Sequence, residues 1–240
     1  MRKFYSDMEF HSYEELIEKF TVDVPDSFNF AYDVFDAIAE ETPDKRALIW
    51  CDDNGGEAVF TFGRLKEKCD RTANYLSSLG IGKGDPVMLI LRGRYEFWYC
   101  ILALHKIGAI CIPATHLLTA KDIEYRCNAA DIKMIITLRE EPILRHVEDA
   151  EPDSPTLKFK VMVGGAREGW LDFDRGIEKA EPSFPRPVGE QTTANSDILL
   201  IYFTSGTAGP PKMVQHNYTY PLGHIATARL WQNVKDNGLH

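Results

Sequence analysis

A run of glycine and hydroxyl-bearing residues ends in a lysine near the carboxyl end of the chain. The run occupies residues 202–214 and reads YFTSGTAGPPKMV, after an apolar strand-like segment. Glycines let neighbouring backbone N–H groups converge on one anion, and hydroxyl groups add further donors. The candidate anion-binding residues are Thr204, Ser205, Gly206, Thr207, Ala208, Gly209 and Lys212. These residue types in this order predict a site for phosphate groups.

Lys212 brings the one full positive charge of this loop into a chain of formal charge −9. An ammonium group about 4 Å from a phosphate charge gains on the order of 4 kcal/mol at an effective dielectric near 20, before desolvation. The net negative charge repels phosphate backbones at long range, so the sequence argues against nucleic acid as a partner. Pro210 and Pro211 have no N–H group, and we expect them to stiffen the exit of the loop.

Two common loops of similar composition do not fit this spacing. A Walker A loop opens a helix and has serine or threonine after its lysine, whereas Met213 follows here and a strand is predicted at 213–215. A nucleophile elbow needs glycine two residues before its serine, but Phe203 occupies that position before Ser205. Two alternatives stay open: an NTPase or phosphotransferase with an atypical P-loop, and a catalytically silent α/β interaction module.

The elements that must position this loop alternate between helix and strand. After two N-terminal helices (12–20 and 30–41) and a hairpin (47–51 with 58–62), the predicted strands are 87–91, 110–114, 134–137, 159–163 and 198–203, with apolar helical patterns between them. This alternation predicts an α/β fold with a doubly wound, mostly parallel sheet flanked by helices. We expect residues 1–196 to form a first subdomain, and 197–240 the phosphate-loop hairpin and the start of the next, truncated subdomain.

Other polar and aromatic residues favour structural roles. Arg92 and Arg94 lie just after the carboxyl end of a predicted strand, where doubly wound folds bind ligands. The default interpretation is nevertheless that both side chains are solvated surface charges. The aromatic run at 95–99 favours core packing. His105, on an apolar helix, is expected to be a hydrogen-bonded packing residue, and His216 is left outside the site.

The cysteines and the apolar segments bear on compartment and membrane contact. Five cysteines without a C-x-x-C pair favour buried thiols over a zinc site or a disulfide framework. The most apolar stretch, 97–104, is far shorter than the roughly 20 residues that cross a bilayer, and the N-terminus lacks an apolar signal core. We therefore expect a cytoplasmic protein without a membrane span.

At the loop, the sequence resembles the signature Y/F-T-S-G-T-T/S-G-x-P-K-x-V of the adenylate-forming (AMP-binding) enzymes. The resemblance extends through 84–87, 108–110 and Pro113, and covers nearly the whole chain. The Pro-Pro-Lys-Met exit and residues 220–224 resemble the medium-chain acyl-CoA synthetases. Ala208 departs from the family pattern of threonine or serine, and its missing hydroxyl is expected to weaken phosphate contact.

This resemblance implies an ATP-dependent acyl-CoA synthetase, which activates a carboxylic acid, expected to be a fatty acid, as an acyl-adenylate and transfers it to coenzyme A. It implies that residues 204–209 hold the β and γ phosphates of ATP and that Lys212 neutralises them, with Mg²⁺ on ligands that the sequence does not identify. The family's later motifs and its C-terminal domain with a catalytic lysine have no counterpart here. The chain is therefore expected to be an N-terminal portion with no catalytic residue and no activity alone.

Overall fold

The computed structural model describes residues 4–6, 9–205 and 209–235 of the chain. The strands are β1 (Arg46–Cys51), β2 (Glu57–Thr61), β3 (Pro86–Ile90), β4 (Ile110–Pro113), β5 (Met134–Leu138), β6 (Phe159–Val163), β7 (Leu171–Asp172), β8 (Ile198–Thr204) and β9 (Lys212–Asn217). The α-helices are α1 (Tyr13–Lys19), α2 (Ala37–Glu41), α3 (Phe62–Ser78), α4 (Glu96–Ile107), α5 (Ala120–Ala130), α6 (Glu141–Ala150), α7 (Phe173–Lys179) and α8 (Tyr220–Ala226).

The central sheet contains seven strands in the order β7-β6-β5-β3-β4-β8-β9. All neighbours are parallel except β8 and β9, which form an antiparallel hairpin. From β3 the chain moves to β4 on one side and then returns to β5 on the other, so the strand order reverses between β3 and β4. The predicted doubly wound, mostly parallel sheet is confirmed.

Helices cover both faces of this sheet. Alternate β3 residues point to opposite sides, as the strand period of two requires: Leu89 packs in the cluster that includes Leu104 of α4, and Met88 packs in the cluster that includes Ile123 of α5. Both β3 side chains are almost completely buried. Burial on both faces explains why the strand sequences are continuous apolar runs.

Local sequence signals determine where the helices beside the sheet begin and end. Thr119 begins α5 with a capping box, in which its side chain accepts from the amide of Asp122 and Asp122 accepts in return. Gly108 ends α4 with φ +88°, and a side chain there would lie 3.2 Å from Lys83 and Thr193. A glycine is therefore required at this position by both conformation and space.

A buried ion cluster joins the N-terminal segment to α3 and α4. The side chain of Lys106 is fully buried, and its Nζ lies 2.7 Å from Asp36 Oδ2 and 2.5 Å from Asp70 Oδ1. Lys66 Nζ also contacts Asp70 Oδ2 at 2.7 Å. Within the described residues, Asp36 Oδ1 has no hydrogen-bond partner, and burial raises the pKa of Asp36 while Lys106 lowers it.

Several elements differ from the sequence-based expectation. The predicted helix at 30–41 starts as a π-helical segment, Ala31–Asp36, before α2. The sequence did not predict α7, which contains Gly176, a poor helix former. A Cβ at Gly176 would lie 2.3 Å from the Tyr75 ring, so close packing requires this glycine.

The hairpin β8–β9 extends the sheet of the first predicted subdomain, and the division between 196 and 197 stays a prediction. Four cysteines are buried as expected, but Cys51 is exposed on β1, so the expectation of buried thiols is wrong for it. In the part of the chain that the structure describes, no helix has the length and apolar character to span a bilayer.

Candidate functional site

The loop between β8 and β9 begins at the carboxyl edge of the sheet. Thr204, the last residue of β8, pairs with Lys212, the first residue of β9. The Thr204 hydroxyl also donates a 3.4 Å hydrogen bond to the Lys212 carbonyl. Since ligands of doubly wound sheets bind at this edge, the fold places the loop where a nucleotide is expected.

The structure brings four of the seven predicted site residues to the solvent-exposed part of this hairpin: Thr204, Ser205, Gly209 and Lys212. Gly206, Thr207 and Ala208 lie outside the described residues. Gly209 has φ +88°, and a Cβ there would contact nothing within 4 Å. Glycine is thus required by the left-handed backbone conformation and not by lack of space.

Lys212 makes the open part of the loop locally cationic. Its side chain is exposed, and no salt bridge involves it among the residues that the structure describes. Its charge is therefore not neutralised within this part of the protein. The start of β9 at Lys212, in place of a helix, confirms that the loop is not a Walker A loop.

Helix α5 packs against both limbs of the hairpin. The Tyr125 hydroxyl donates a 2.8 Å hydrogen bond to the Pro211 carbonyl, and its ring meets the Phe203 ring edge-on at 6.2 Å. The Arg126 guanidinium lies 5.1 Å from the centre of the same Phe203 ring, and burial lowers the pKa of Arg126. These contacts could not be predicted from local sequence patterns, because residues 125 and 211 are far apart in the chain.

A cavity of about 460 Å³ lies at the same sheet edge, where the strand order reverses between β3 and β4. Phe97 and Trp98 form an aromatic wall, Leu89 contributes an apolar surface, and Arg92 and His116 contribute polar groups. Trp98 is 50% exposed. Core packing is therefore the wrong interpretation for Trp98, although it holds for Tyr99, which is buried. Apolar walls with a cationic residue suit an organic anion.

Arg92 and Arg94 have different environments beside this cavity. Arg94 forms a two-pronged contact with the buried Glu96 carboxylate, at 2.8 and 3.0 Å, which raises the pKa of Arg94. It also lies over the rings of Trp50 and Tyr95. The interpretation of Arg94 as a solvated charge is wrong, because its charge is used within the fold.

Arg92 is more open and has an uncommon backbone conformation. Its side chain is 58% exposed and lies 3.5 Å from Glu140, and its φ is +30°. Positive φ is costly for a residue with a side chain and is concentrated at functional sites. Arg92 is thus the arginine better placed to contact a ligand in the cavity.

The two histidines singled out in the sequence have different environments, and His216 has the structural role expected of a residue outside the site. His216 packs on Tyr220 with ring centres 3.9 Å apart, in a cluster that continues to Tyr202 and His224. His105 is buried as predicted, but its two ring nitrogens have no hydrogen-bond partner among the described residues. The expectation of a hydrogen-bonded His105 ring is therefore wrong, and burial lowers its pKa to about 3.

Metal ligands were not identified from the sequence. Among the residues that the structure describes, no group of three or more His, Cys, Asp or Glu side chains could hold a metal ion.

Known proteins of one enzyme family are similar to this chain. A family model described as AMP-binding enzyme matches residues 35–238. Acyl-coenzyme A synthetase ACSM5, mitochondrial, of Rattus norvegicus is 36% identical over 214 residues, which cover 86% of this chain and 36% of that protein. Acyl-coenzyme A synthetase ACSM1, mitochondrial, of Mus musculus is 37% identical over 205 residues, which cover 81% of this chain and 34% of that protein.

A solved structure has a similar fold. It is the crystal structure of the anthranilate CoA ligase AuaEII in complex with anthranoyl-AMP, with a TM-score of 0.75 and 27% identity. The match covers 87% of this chain and 38% of that chain. This chain therefore spans less than half the length of each of these three proteins. Because the family model matches most of the chain and the fold agrees with the solved ligase, the resemblance found at residues 202–214 is confirmed, and the chain belongs to the AMP-binding enzyme family.

Proposed function

We propose that this chain is the N-terminal part of an ATP-dependent acyl-CoA synthetase. The complete protein would join a carboxylic acid, with a fatty acid as the expected class, to AMP and then transfer the acyl group to coenzyme A. The observation that carries the proposal is the β8–β9 loop, with its family signature, at the carboxyl edge of the sheet. The similarity to acyl-coenzyme A synthetases supports it.

The proposed role of residues 204–209 is to hold the β and γ phosphates of ATP, and the proposed role of Lys212 is to neutralise them. The exposed hydroxyl groups of Thr204 and Ser205, the left-handed Gly209 and the exposed ammonium group form a donor set that suits phosphate oxygens. Such contacts position the triphosphate and stabilise the charge that develops when pyrophosphate leaves.

The nucleophile in the proposed reaction is the carboxylate of the substrate, which attacks the α-phosphorus of ATP. No catalytic side chain of this segment is needed for that step. Mg²⁺ binds through phosphate oxygens and water in many nucleotide sites, and we propose the same here. The resemblance implies a C-terminal domain with a catalytic lysine, and we propose that the complete protein carries this domain.

The cavity beside Arg92 offers a second binding place at the same edge. Its aromatic wall and cationic residue suit an organic anion, a class that includes both carboxylic acids and coenzyme A. Separate titrations with octanoate and with coenzyme A, following the indole N–H resonance of Trp98, would distinguish these sources. The absence of a shift with either compound would contradict a ligand role for the cavity.

Two measurements on this chain test the proposed function. Titration with Mg-ATP should shift the amide resonance of Gly209 with weak affinity, and carboxylate-dependent pyrophosphate exchange should be absent. Hydrolysis of ATP without any acid would favour the NTPase or phosphotransferase alternative. A Gly209 amide that does not respond to ATP would favour the catalytically silent module.

Activity and compartment need the complete protein. Carboxylate-dependent pyrophosphate exchange by this chain alone would contradict the proposal that it is an inactive portion.

A cytoplasmic location stays a proposal, and the two relatives named above are described as mitochondrial. Imaging of the complete protein with a C-terminal fluorescent tag would decide between the two compartments.

A further inference from the structure

We infer that Tyr125 of α5 is a positioning residue for the phosphate-binding loop. It holds the exit of the loop so that Lys212 faces the phosphates of the nucleotide. The inference rests on the proposed function, because it assumes that the loop binds ATP. Tyr125 itself is not assigned a contact with the nucleotide.

The first observation is the hydrogen bond at the loop exit. The Tyr125 hydroxyl donates to the Pro211 carbonyl at 2.8 Å. Pro211 has no N–H group, so its carbonyl is the hydrogen-bonding group of its backbone. That carbonyl belongs to the peptide group that includes the amide of Lys212. Fixing the carbonyl therefore restricts the orientation of the peptide plane that contains the amide and the Cα atom of Lys212.

The second observation is that the same turn of α5 holds the entrance of the loop. Phe203 contacts the Tyr125 ring and lies under the guanidinium group of Arg126. Arg126 is in turn held by a 2.8 Å hydrogen bond from its Nη1 to the Asp122 carbonyl. Helix α5 thus contacts Phe203, which precedes the loop, and Pro211, the last residue of the loop.

The third observation is that α5 is a firm support. Its first turn has the capping box of Thr119 and Asp122, and Ile123 and Cys127 are completely buried against the sheet. The hairpin, by contrast, lies at the edge of the sheet, and most of β9 is exposed.

In the described part of the loop, the Tyr125 hydroxyl forms the polar contact with the rest of the fold. Among the residues that the structure describes, no other hydrogen bond joins residues 204–212 to an element outside the hairpin. Loss of the hydroxyl should therefore leave the loop exit without a polar link to the core. A loop that spends less time in its binding-competent form binds its ligand more weakly in proportion.

The test compares Tyr125→Phe with the wild-type chain. The substitution removes only the hydroxyl and keeps the ring against Phe203. We expect the Kd for Mg-ATP, measured from the Gly209 amide shift, to rise by about threefold to tenfold, as for loss of one net hydrogen bond. Hydrogen exchange at the amides of residues 212–214 should become faster in the chain without nucleotide.

Tyr75→Phe is the matched control. The Tyr75 hydroxyl donates to the Asp172 carbonyl at 3.4 Å, between α3 and β7 at the opposite edge of the sheet. This variant also loses one tyrosine hydroxyl but should keep wild-type ATP affinity and wild-type exchange at 212–214. Equal effects of the two substitutions would show a general loss of stability and would overturn the inference.

The outcomes separate this inference from the proposed function. If the wild-type chain binds ATP and Tyr125→Phe binds it equally well with unchanged exchange, the inference is wrong and the proposed function stands. If the wild-type chain does not bind ATP, the proposed function fails for this chain. In that case, faster hydrogen exchange at residues 212–214 in Tyr125→Phe would still support the inference that Tyr125 orders the loop exit. Unchanged exchange would overturn that inference.

Discussion

Thr204 and Lys212 are directly opposite each other in the β8–β9 ladder. Side chains of directly paired residues lie on the same side of an antiparallel hairpin, with Cβ atoms roughly 5 Å apart. The pairing therefore places a hydroxyl group and an ammonium group together at the base of the glycine-rich loop. A phosphate group bound there can contact both.

Replacement of Lys212 by methionine should weaken Mg-ATP binding by about tenfold or more, equivalent to ~1.4 kcal/mol, because one positive charge near the phosphates is lost. The difference from wild type should shrink as salt increases, since the site is exposed. Lys158→Met is the charge-matched control, because Lys158 is exposed immediately before β6 at the opposite end of the strands. Calorimetric titration at two salt concentrations measures both effects. If Lys212→Met and Lys158→Met had the same Kd for Mg-ATP, Lys212 would not be part of the binding site.

Replacement of Gly209 by alanine should strain the loop by about 1–2 kcal/mol, since alanine is disfavoured at φ +88°. We expect weaker ATP binding and a lower free energy of unfolding in urea. Gly223→Ala is the control: this glycine lies inside α8, has open space at its Cβ and has no positive φ. The free energy of unfolding of Gly223→Ala should be unchanged or higher than that of the wild type by up to ~1 kcal/mol. Equal stability of the two variants would mean that the left-handed conformation is not required.

Replacement of Lys106 by methionine should cost about 3–5 kcal/mol in the free energy of unfolding, because two buried carboxylates lose their shared cation. Lys66→Met should cost less, since the Lys66 side chain is 25% exposed. Burial already raises the pKa of Asp36, and loss of Lys106 raises that pKa further.

A carboxyl whose pKa is higher in the folded state binds protons preferentially in that state, so its cost falls as pH falls. The stability deficit of Lys106→Met should therefore shrink between pH 7 and pH 5. Urea titrations across this range measure the change. A deficit that is constant or grows toward pH 5 would contradict the assigned role of the carboxylates.

His105 should make the fold sensitive to acid. Its folded-state pKa of about 3 lies below the ordinary value, so the unfolded chain gains protons first as pH falls. Between pH 6.5 and 4.5 this one group should remove about 2–3 kcal/mol of stability, at ~1.4 kcal/mol per pH unit. His105→Leu removes the titrating ring. Over the same pH range, the free energy of unfolding of this variant should therefore fall by about 2–3 kcal/mol less than that of the wild type. Parallel loss in both proteins would assign the acid sensitivity to other groups.

Local patterns in the sequence were sufficient for much of the fold. The apolar runs at β3 to β6 and β8 predicted the parallel sheet, and the glycines and prolines between β8 and β9 predicted the hairpin loop. Helix α7 was not predictable in this way, because Gly176 is explained by contact with Tyr75, a residue about one hundred positions earlier.

The candidate site was predictable only in part for the same reason. The loop residues are contiguous, so their types and order indicated phosphate binding. The Tyr125–Pro211 hydrogen bond, the Arg94–Glu96 contact with its aromatic neighbours, and the cavity between β3 and β4 depend on tertiary packing. Residue types alone predicted that the His105 ring forms hydrogen bonds, whereas neither ring nitrogen has a hydrogen-bond partner among the residues that the structure describes.

The outermost position of β9 has a practical consequence. In the described part of the chain no strand covers its outer edge, and Met213 and Val214 are 40% and 39% exposed. Long, exposed and apolar edge strands readily recruit another copy of the same chain. At high concentration a second copy of this chain should therefore be able to pair with β9, beside the proposed phosphate-binding loop, and light scattering over a dilution series would measure this association.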